Sequence, residues 1–408
     1  MKKSVLKQYA RLIVRKGVNL QKGQTVVVRA QPDQPDFVYM VVEEAYRAGA
    51  SRVFVEMNYL PIQKLHVRYQ TVKRLGTMEE WELAKLKASA EELPAMIHLD
   101  SADPDGLNGM NQAKNSKAMQ LRYPIIKPIL DSKENKYQWC IAAVPGKAWA
   151  KKVFPGVRAS IAEEKLWKAI LDASRVDDDP VEAWSRHNAD LAARCRYLND
   201  LHIETLEYKA SNGTDFKVGL IEDALFMGGE ETTLGSGIPF NPNIPSEEVF
   251  VSPKKGVAEG IVYSTKPLSY RGFLIENFSV RFENGRAVEV HAEKGEEALK
   301  DMISLDDGAS MLGECALIPH DSPISNSGLI FSNTLFDENA SCHLALGMGF
   351  ANCIKDYDKY TLDECRAKGI NDSMIHEDFM IGTPDLDIWA VTRDGKRVQI
   401  FKNGNWAF

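Results

Sequence analysis

Apolar positions near the start of the chain recur at Val5, Leu6, Tyr9, Leu12 and Ile13, the three-and-four spacing of an amphipathic helix. The pattern then changes. Thr25-Val26-Val27-Val28-Arg29 is a β-branched run that reads as a buried parallel strand. Phe37 to Ala48 returns to helical spacing, closed by Gly49, and Arg52-Val53-Phe54-Val55-Glu56 reads as a second strand. Strand, helix, strand in that order predicts a right-handed βαβ unit. Ala95–Leu99 and Trp139–Val144 add two strands, with helices over Gln112–Leu121, Ala162–Ala173 and Ala183–Leu198.

After about Asn199 the signals are those of hairpins. Asn212-Gly213 separates Ile203–Lys209 from Phe216–Leu220, Asn284-Gly285 separates Phe278–Phe282 from Ala287–Ala292, and Asp394-Gly395 separates Ile388–Val391 from Val398–Phe401. Each fits a two-residue turn between alternating strands. One helix, Glu293–Ile303, follows the second hairpin. The expected fold class is an α/β N-terminal domain with a mostly parallel sheet over residues 1–195, then a mixed α+β domain over 196–408 that carries the chemistry.

Composition narrows the function classes. The 408 residues are 44% hydrophobic and 26% charged, a globular balance that excludes wholesale disorder. With 57 acidic and 50 basic residues the net charge is −7 and there is no basic stripe, so no nucleic-acid partner is expected. No run of 18 apolar residues suggests a membrane span, and the N-terminal apolar positions are broken by Gln8, Arg11, Arg15 and Lys16. The six cysteines form no C-x-x-C pair and read as reduced, buried thiols. The expectation is a cytoplasmic protein.

No glycine-rich phosphate loop follows the first strand, where the chain reads Arg-Ala-Gln-Pro-Asp-Gln-Pro, so a dinucleotide site of the usual kind is not expected. His98 and Asp100 end a strand and read mainly as structural. The chemistry concentrates later. Glu338 lies five residues before His343, and His376-x-Asp378 places both side chains on one face of an extended segment. Glu314 sits between apolar neighbours, and Glu247 and Glu248 follow Pro245. Taken singly each has a plain reading: a capped helix start, a surface turn, an ion pair with an arginine. Together, with one of Glu247 and Glu248 counted, four acids and two imidazoles suit two divalent ions such as zinc, cobalt or manganese.

These segments resemble the M29 metallo-aminopeptidases, the thermophilic aminopeptidase family. The strings are Asn243-Ile-Pro-Ser-Glu-Glu-Val-Phe250, Thr265-Lys-Pro-Leu268, Leu312-Gly-Glu-Cys-Ala-Leu317, Asn333-Thr-Leu-Phe-Asp-Glu-Asn339, His343-Leu-Ala-Leu-Gly347 and His376-Glu-Asp378. Tyr9-Ala-Arg-Leu and Gly23-Gln-Thr-Val-Val-Val extend the likeness to the opening of the chain. The resemblance implies a cytoplasmic exopeptidase, a homodimer enclosing an inner cavity, that acts on peptides with a free N-terminus. It implies a pair of divalent metal ions (Zn, Co, Mn or Mg) held by Glu248, Glu314, Glu338, His343, His376 and Asp378, with Glu314 bridging. The expected chemistry is attack on the scissile carbonyl by a hydroxide that the two ions share. Glu247 or Asp337 is then placed to pass a proton to the leaving amine.

One position departs from the family pattern. Seven residues after His343 the family has a tyrosine thought to assist catalysis, and here Phe350 stands in its place. A phenyl ring cannot donate a hydrogen bond to a developing oxyanion, and loss of one such donor costs about 10²–10³ in rate. Tyr357 or Tyr360 is near enough in sequence to substitute. The alternatives are a catalytically weakened peptide-binding relative, or another two-metal hydrolase such as a phosphoesterase; few basic residues near these strings favour phosphate.

Overall fold

A computed structural model describes residues 1–271 and 273–408. The chain parts into two compact units: Met1–Arg186 with Glu230–Pro245, and His187–Gly229 with Ser246–Phe408. The single cut expected near residue 195 falls inside a helix, Pro180–Asp200. The second difference is the return of 230–245 to the first unit. It follows from a two-residue strand too short to show in the sequence pattern.

The first unit is built on a five-stranded parallel sheet. Its strands are β1 (Thr25–Ala30), β2 (Arg52–Met57), β3 (Ala95–Asp100), β4 (Trp139–Ala143) and β5 (Asn243–Ile244), in the order β2-β1-β3-β4-β5. The interior side chains of β1, β3 and β4 are fully buried, as their β-branched and small residues require. Helix α1 (Lys3–Leu12) packs Tyr9 against Phe37 of α2 (Pro35–Ala48), with ring centroids 5.4 Å apart, and Trp167 stands edge-on to both. The Tyr9 hydroxyl donates to the Ala143 carbonyl at 3.1 Å, so the buried phenol is satisfied within this aromatic cluster. Helices at Leu60–Tyr69 (α3), Val72–Gly76 and Glu80–Glu92 join β2 to β3, and α4 (Gln112–Lys133) joins β3 to β4.

The second unit contains, among the described residues, a nine-stranded antiparallel sheet that includes all three expected hairpins: Ile203–Lys209 with Asp215–Leu220, Phe273–Glu283 with Arg286–Lys294, and Asp387–Thr392 with Arg397–Lys402. A second antiparallel sheet of four strands matters more for function. It runs β6 (Val249–Val251), β7 (Leu312–Leu317), β8 (His343–Gly347) and β9 (His376–Met380) in that order. Every residue of β7 and β8 is buried.

Candidate metal centre

The four-stranded sheet sorts its side chains by the alternation of the strand. Cys315 pairs with Leu344, and Leu344 with Phe379; these join Leu317 and Leu346 in the hydrophobic core. The other face carries the polar set. Glu314 pairs with Ala345, and Ala345 with Asp378, while His343 lies opposite Ala316 and His376 opposite Gly347. Opposed residues in an antiparallel pair share a face. Glu314, His343, His376 and Asp378 therefore project together, and the small residues Ala345 and Gly347 leave the space between them open. Glu248, one residue before β6, is the fifth member of the group.

Ligand-capable atoms of Glu248, Glu314 and His343 lie within 4.8 Å of one another, and so do those of Glu314, His376 and Asp378. Glu314 belongs to both triads. The structure thus brings five of the six expected ligands into two linked groups. Glu338 is outside both triads but faces them electrostatically, since Asp378, Glu248 and Glu314 all act on its carboxyl. All of these side chains are buried except His376, which keeps 25% of its side-chain exposure and marks the accessible side.

The imidazoles are oriented by carbonyls, which only accept. His343 Nδ1 donates to the Glu338 carbonyl at 2.9 Å, and His376 Nδ1 donates to the Met348 carbonyl at 2.7 Å. Each ring is thereby fixed with Nε2 aimed at the carboxylates, the arrangement metal-binding histidines use. His343 Nε2 lies 3.6 Å from Glu248 Oε2 and 3.8 Å from Asp378 Oδ1; His376 Nε2 lies 3.1 Å from Glu314 Oε2 and 3.3 Å from Asp378 Oδ1.

The donor set fits divalent cations. Two carboxylates at this separation repel by about 3–4 kcal/mol at an effective dielectric near 20. Burial, then Asp378, Glu248 and Glu314, drives the Glu338 carboxyl well above the usual carboxylate range. Burial disfavours charge on His376, but Asp378 and Glu314 outweigh it and lift its pKa well above the ordinary value. Asp378 Oδ1, wholly buried, accepts no hydrogen bond. The raised pKa values of Glu338 and His376 mark where positive charge is needed, and hard oxygen donors with two imidazoles suit zinc, cobalt or manganese.

Neighbouring residues sort into different tasks. Glu247 is buried; its N–H donates to Asn339 Oδ1 at 2.7 Å, and its Oε2 lies 3.9 Å from His187 Nε2, which itself reaches the Ser246 carbonyl at 2.7 Å. Asn339 also donates to the Leu335 carbonyl and to Glu338 Oε1, so it ties together the segments that carry Glu247 and Glu338. Sequence reasoning passed over His187 and Asn339; the one available signal for Asn339 was its place directly after Glu338, at the end of the string Asn333–Asn339. Asp337 has a structural task, accepting from Phe331 N with one oxygen and from Asn333 N with the other. The Phe350 ring lies 4.8 Å from the His376 ring and 5.7 Å from Phe250. Tyr357 and Tyr360 pack elsewhere, against the cluster of Ile221, Ala351, Ile354, Cys365 and Ile370. In the first unit, burial and then Arg29 push the His98 pKa down to about 4, which makes it a neutral strand residue, and Asp100 accepts from the Ala102 N–H.

Residues 2–406 match the family model described as thermophilic metalloprotease (M29). The chain belongs to the M29 metallopeptidase family. It is 42% identical to aminopeptidase AmpS of Bacillus subtilis, over 99% of this chain and 98% of that protein. It is 38% identical to aminopeptidase T of Thermus aquaticus over 98% of each. The solved structure of wild-type AmpT from Thermus thermophilus superposes with a TM-score of 0.89 at 36% identity, covering 100% of both chains. A 2,5-dihydroxypyridine dioxygenase from Pseudomonas putida KT2440 shares the fold alone, with a TM-score of 0.50 at 13% identity over 99% of this chain and 96% of its own. Among the described residues, no helix of this M29 protein is long and apolar enough to cross a membrane.

Proposed function

We propose that this M29 protein is a metallo-aminopeptidase that releases amino acids from the free N-terminus of peptides, using two divalent ions held by Glu248, Glu314, Glu338, His343, His376 and Asp378. The observation that carries the reading is the pair of ligand triads joined at Glu314. Near-full-length likeness to proteins named aminopeptidases supports the choice of reaction.

Divalent ions bound there would polarise a peptide carbonyl and lower the pKa of a water molecule, the chemistry of two-ion hydrolytic sites. The protein's own part is positioning and proton handling. Met348 and Glu338 carbonyls fix both imidazoles as Nε2 donors. Glu247, tied by Asn339 and facing His187, is the candidate to hold a proton at Oε2 and pass it to the leaving amine. Asp337 drops out of that role, because both its oxygens already accept backbone hydrogen bonds. Phe350 occupies the wall beside His376 without a hydroxyl, which favours slow turnover as a secondary reading.

The test is metal analysis of the purified protein together with a digestion time course on a peptide with a free amino end. Two equivalents of metal, and residues released one at a time from that end, are the expected results. Internal cleavage, or metal without release across a panel of such peptides, would overturn the proposal.

A further inference from the structure

The parallel sheet of the first unit has a topological switch point. From β1 the chain crosses to β2 on one side, whereas from β3 it crosses to β4 on the other. The connections leaving the carboxyl ends of β1 and β3 therefore diverge, and such sheets bind ligands in the crevice this opens. A cleft of 1060 Å³ lies at that place, just above the ~300–1,000 Å³ usual for small-molecule sites. It is walled by the segments that follow the ends of β1 to β4: Gln31 and Asp33 after β1, Tyr59 and Leu60 after β2, Ser101 to Met110 after β3, and Lys147 after β4. All of them belong to the first unit, and none is a member of the metal-ligand cluster.

The charges in this cleft are unbalanced in one direction. Its acids are already engaged. Asp33 accepts from the buried Ser101 hydroxyl at 3.0 Å, Asp103 accepts from the Asp105 N–H, and Asp105 pairs with Lys152 at 2.8 Å. The cations are not. Lys64, Arg68, Lys114 and Lys147 all line the cleft. Lys64 donates to the Asn108 carbonyl and Arg68 lies over the Tyr69 ring, but among the described residues none of the four makes an ion pair. The first turn of the 22-residue helix α4, capped by Asn111, adds the positive end of its dipole. Leu60, Leu65 and Met110 supply an apolar wall.

We propose that the first unit carries a second ligand site, between the ends of β1 and β3, for a small polyanion: a molecule with two or more phosphate or carboxylate charges on an apolar body. The four cations take the charges and the apolar wall takes the body. The site lacks a glycine-rich loop, so recognition rests on side chains rather than on a cradle of backbone N–H groups.

The test is calorimetric titration of the metal-loaded protein with ADP, citrate and adenosine. ADP or citrate should bind and adenosine should not; which of the two is tighter distinguishes a phosphate from a carboxylate ligand. Lys114→Gln with Lys147→Gln should weaken that binding by about tenfold or more, the loss expected for removing charged hydrogen-bond donors. The variant's melting temperature and aminoacyl-arylamide turnover should stay unchanged. Arg68→Gln provides a milder variant if the double substitution folds poorly, and should weaken binding in the same direction. Failure of both anions to bind would overturn the proposal. So would binding that persists undiminished in the variants, since chelation at the metal ligands would survive these changes.

Discussion

Phe350 stands where the family resemblance implies a tyrosine, and its ring lies 4.8 Å from that of His376. Phe350→Tyr would return one hydroxyl to this wall. The expected outcome is a rise in kcat of up to about 10²-fold, read with an aminoacyl arylamide; an unchanged kcat would show that this hydroxyl does not limit the enzyme. Glu314 is common to both triads. Glu314→Ala should remove bound metal and turnover together, and near-normal hydrolysis by this variant would end its assignment as the bridge. Asn339 is fully buried, and its one amide makes three hydrogen bonds, two that hold Glu247 and Glu338 and one to the Leu335 carbonyl. Asn339→Ala should weaken metal affinity by about 10–100-fold, as loss of supporting hydrogen bonds does in other metal sites. Competition with a chelator would measure it, and unaltered affinity would reduce Asn339 to a packing role.

Strand β8 shows how an element builds this centre. Its alternation sends Leu344 and Leu346 into the core and His343 to the polar face, and it ends at Gly347, whose φ is +109°. A Cβ on Gly347 would come within 2.0 Å of the Ile375 carbonyl oxygen, directly before His376. Gly347→Ala should cost more than about 1 kcal/mol of stability and displace His376 as well; a wild-type melting temperature with intact metal binding would contradict this. The hairpins of the second unit were legible because Asn-Gly and Asp-Gly leave few alternatives to a tight turn. The ligand residues were legible as chemistry, and their convergence was not, because pairing of β7, β8 and β9 is a property of the sheet. Three helices between Leu60 and Glu92 went unread, since mostly exposed faces carry little apolar periodicity. α4 was read only to Leu121 because Pro124 and Pro128 lie inside it. Strand β5, two residues long, gives no period at all.

For the molecule as a whole, the cluster makes stability depend on pH in opposite ways with and without metal. Burial, then Asp378, raises the Glu377 carboxyl to about 7, and Glu338 and His376 are raised well above their ordinary values. A group with a raised folded-state pKa contributes stability that is complete below its unfolded pKa and is lost as pH rises through the folded one. For Glu377 that window runs from the ordinary carboxylate value to about 7. Asp378, which is lowered, acts oppositely, and its window lies below 3.8. The metal-free protein should therefore lose melting temperature relative to the loaded protein as pH rises from the ordinary carboxylate range through about 7. Paired melting scans would check this, and a constant gap would refute it. Because the pKa values of His376 and Glu338 are raised, the metal-free cluster favours hydrogen ions on these side chains, and loading it exchanges one kind of positive charge for another. Each equivalent of cation added to an unbuffered solution of the apoprotein should then acidify it, and the count of hydrogen ions expelled would tell how many of these side chains had been carrying one.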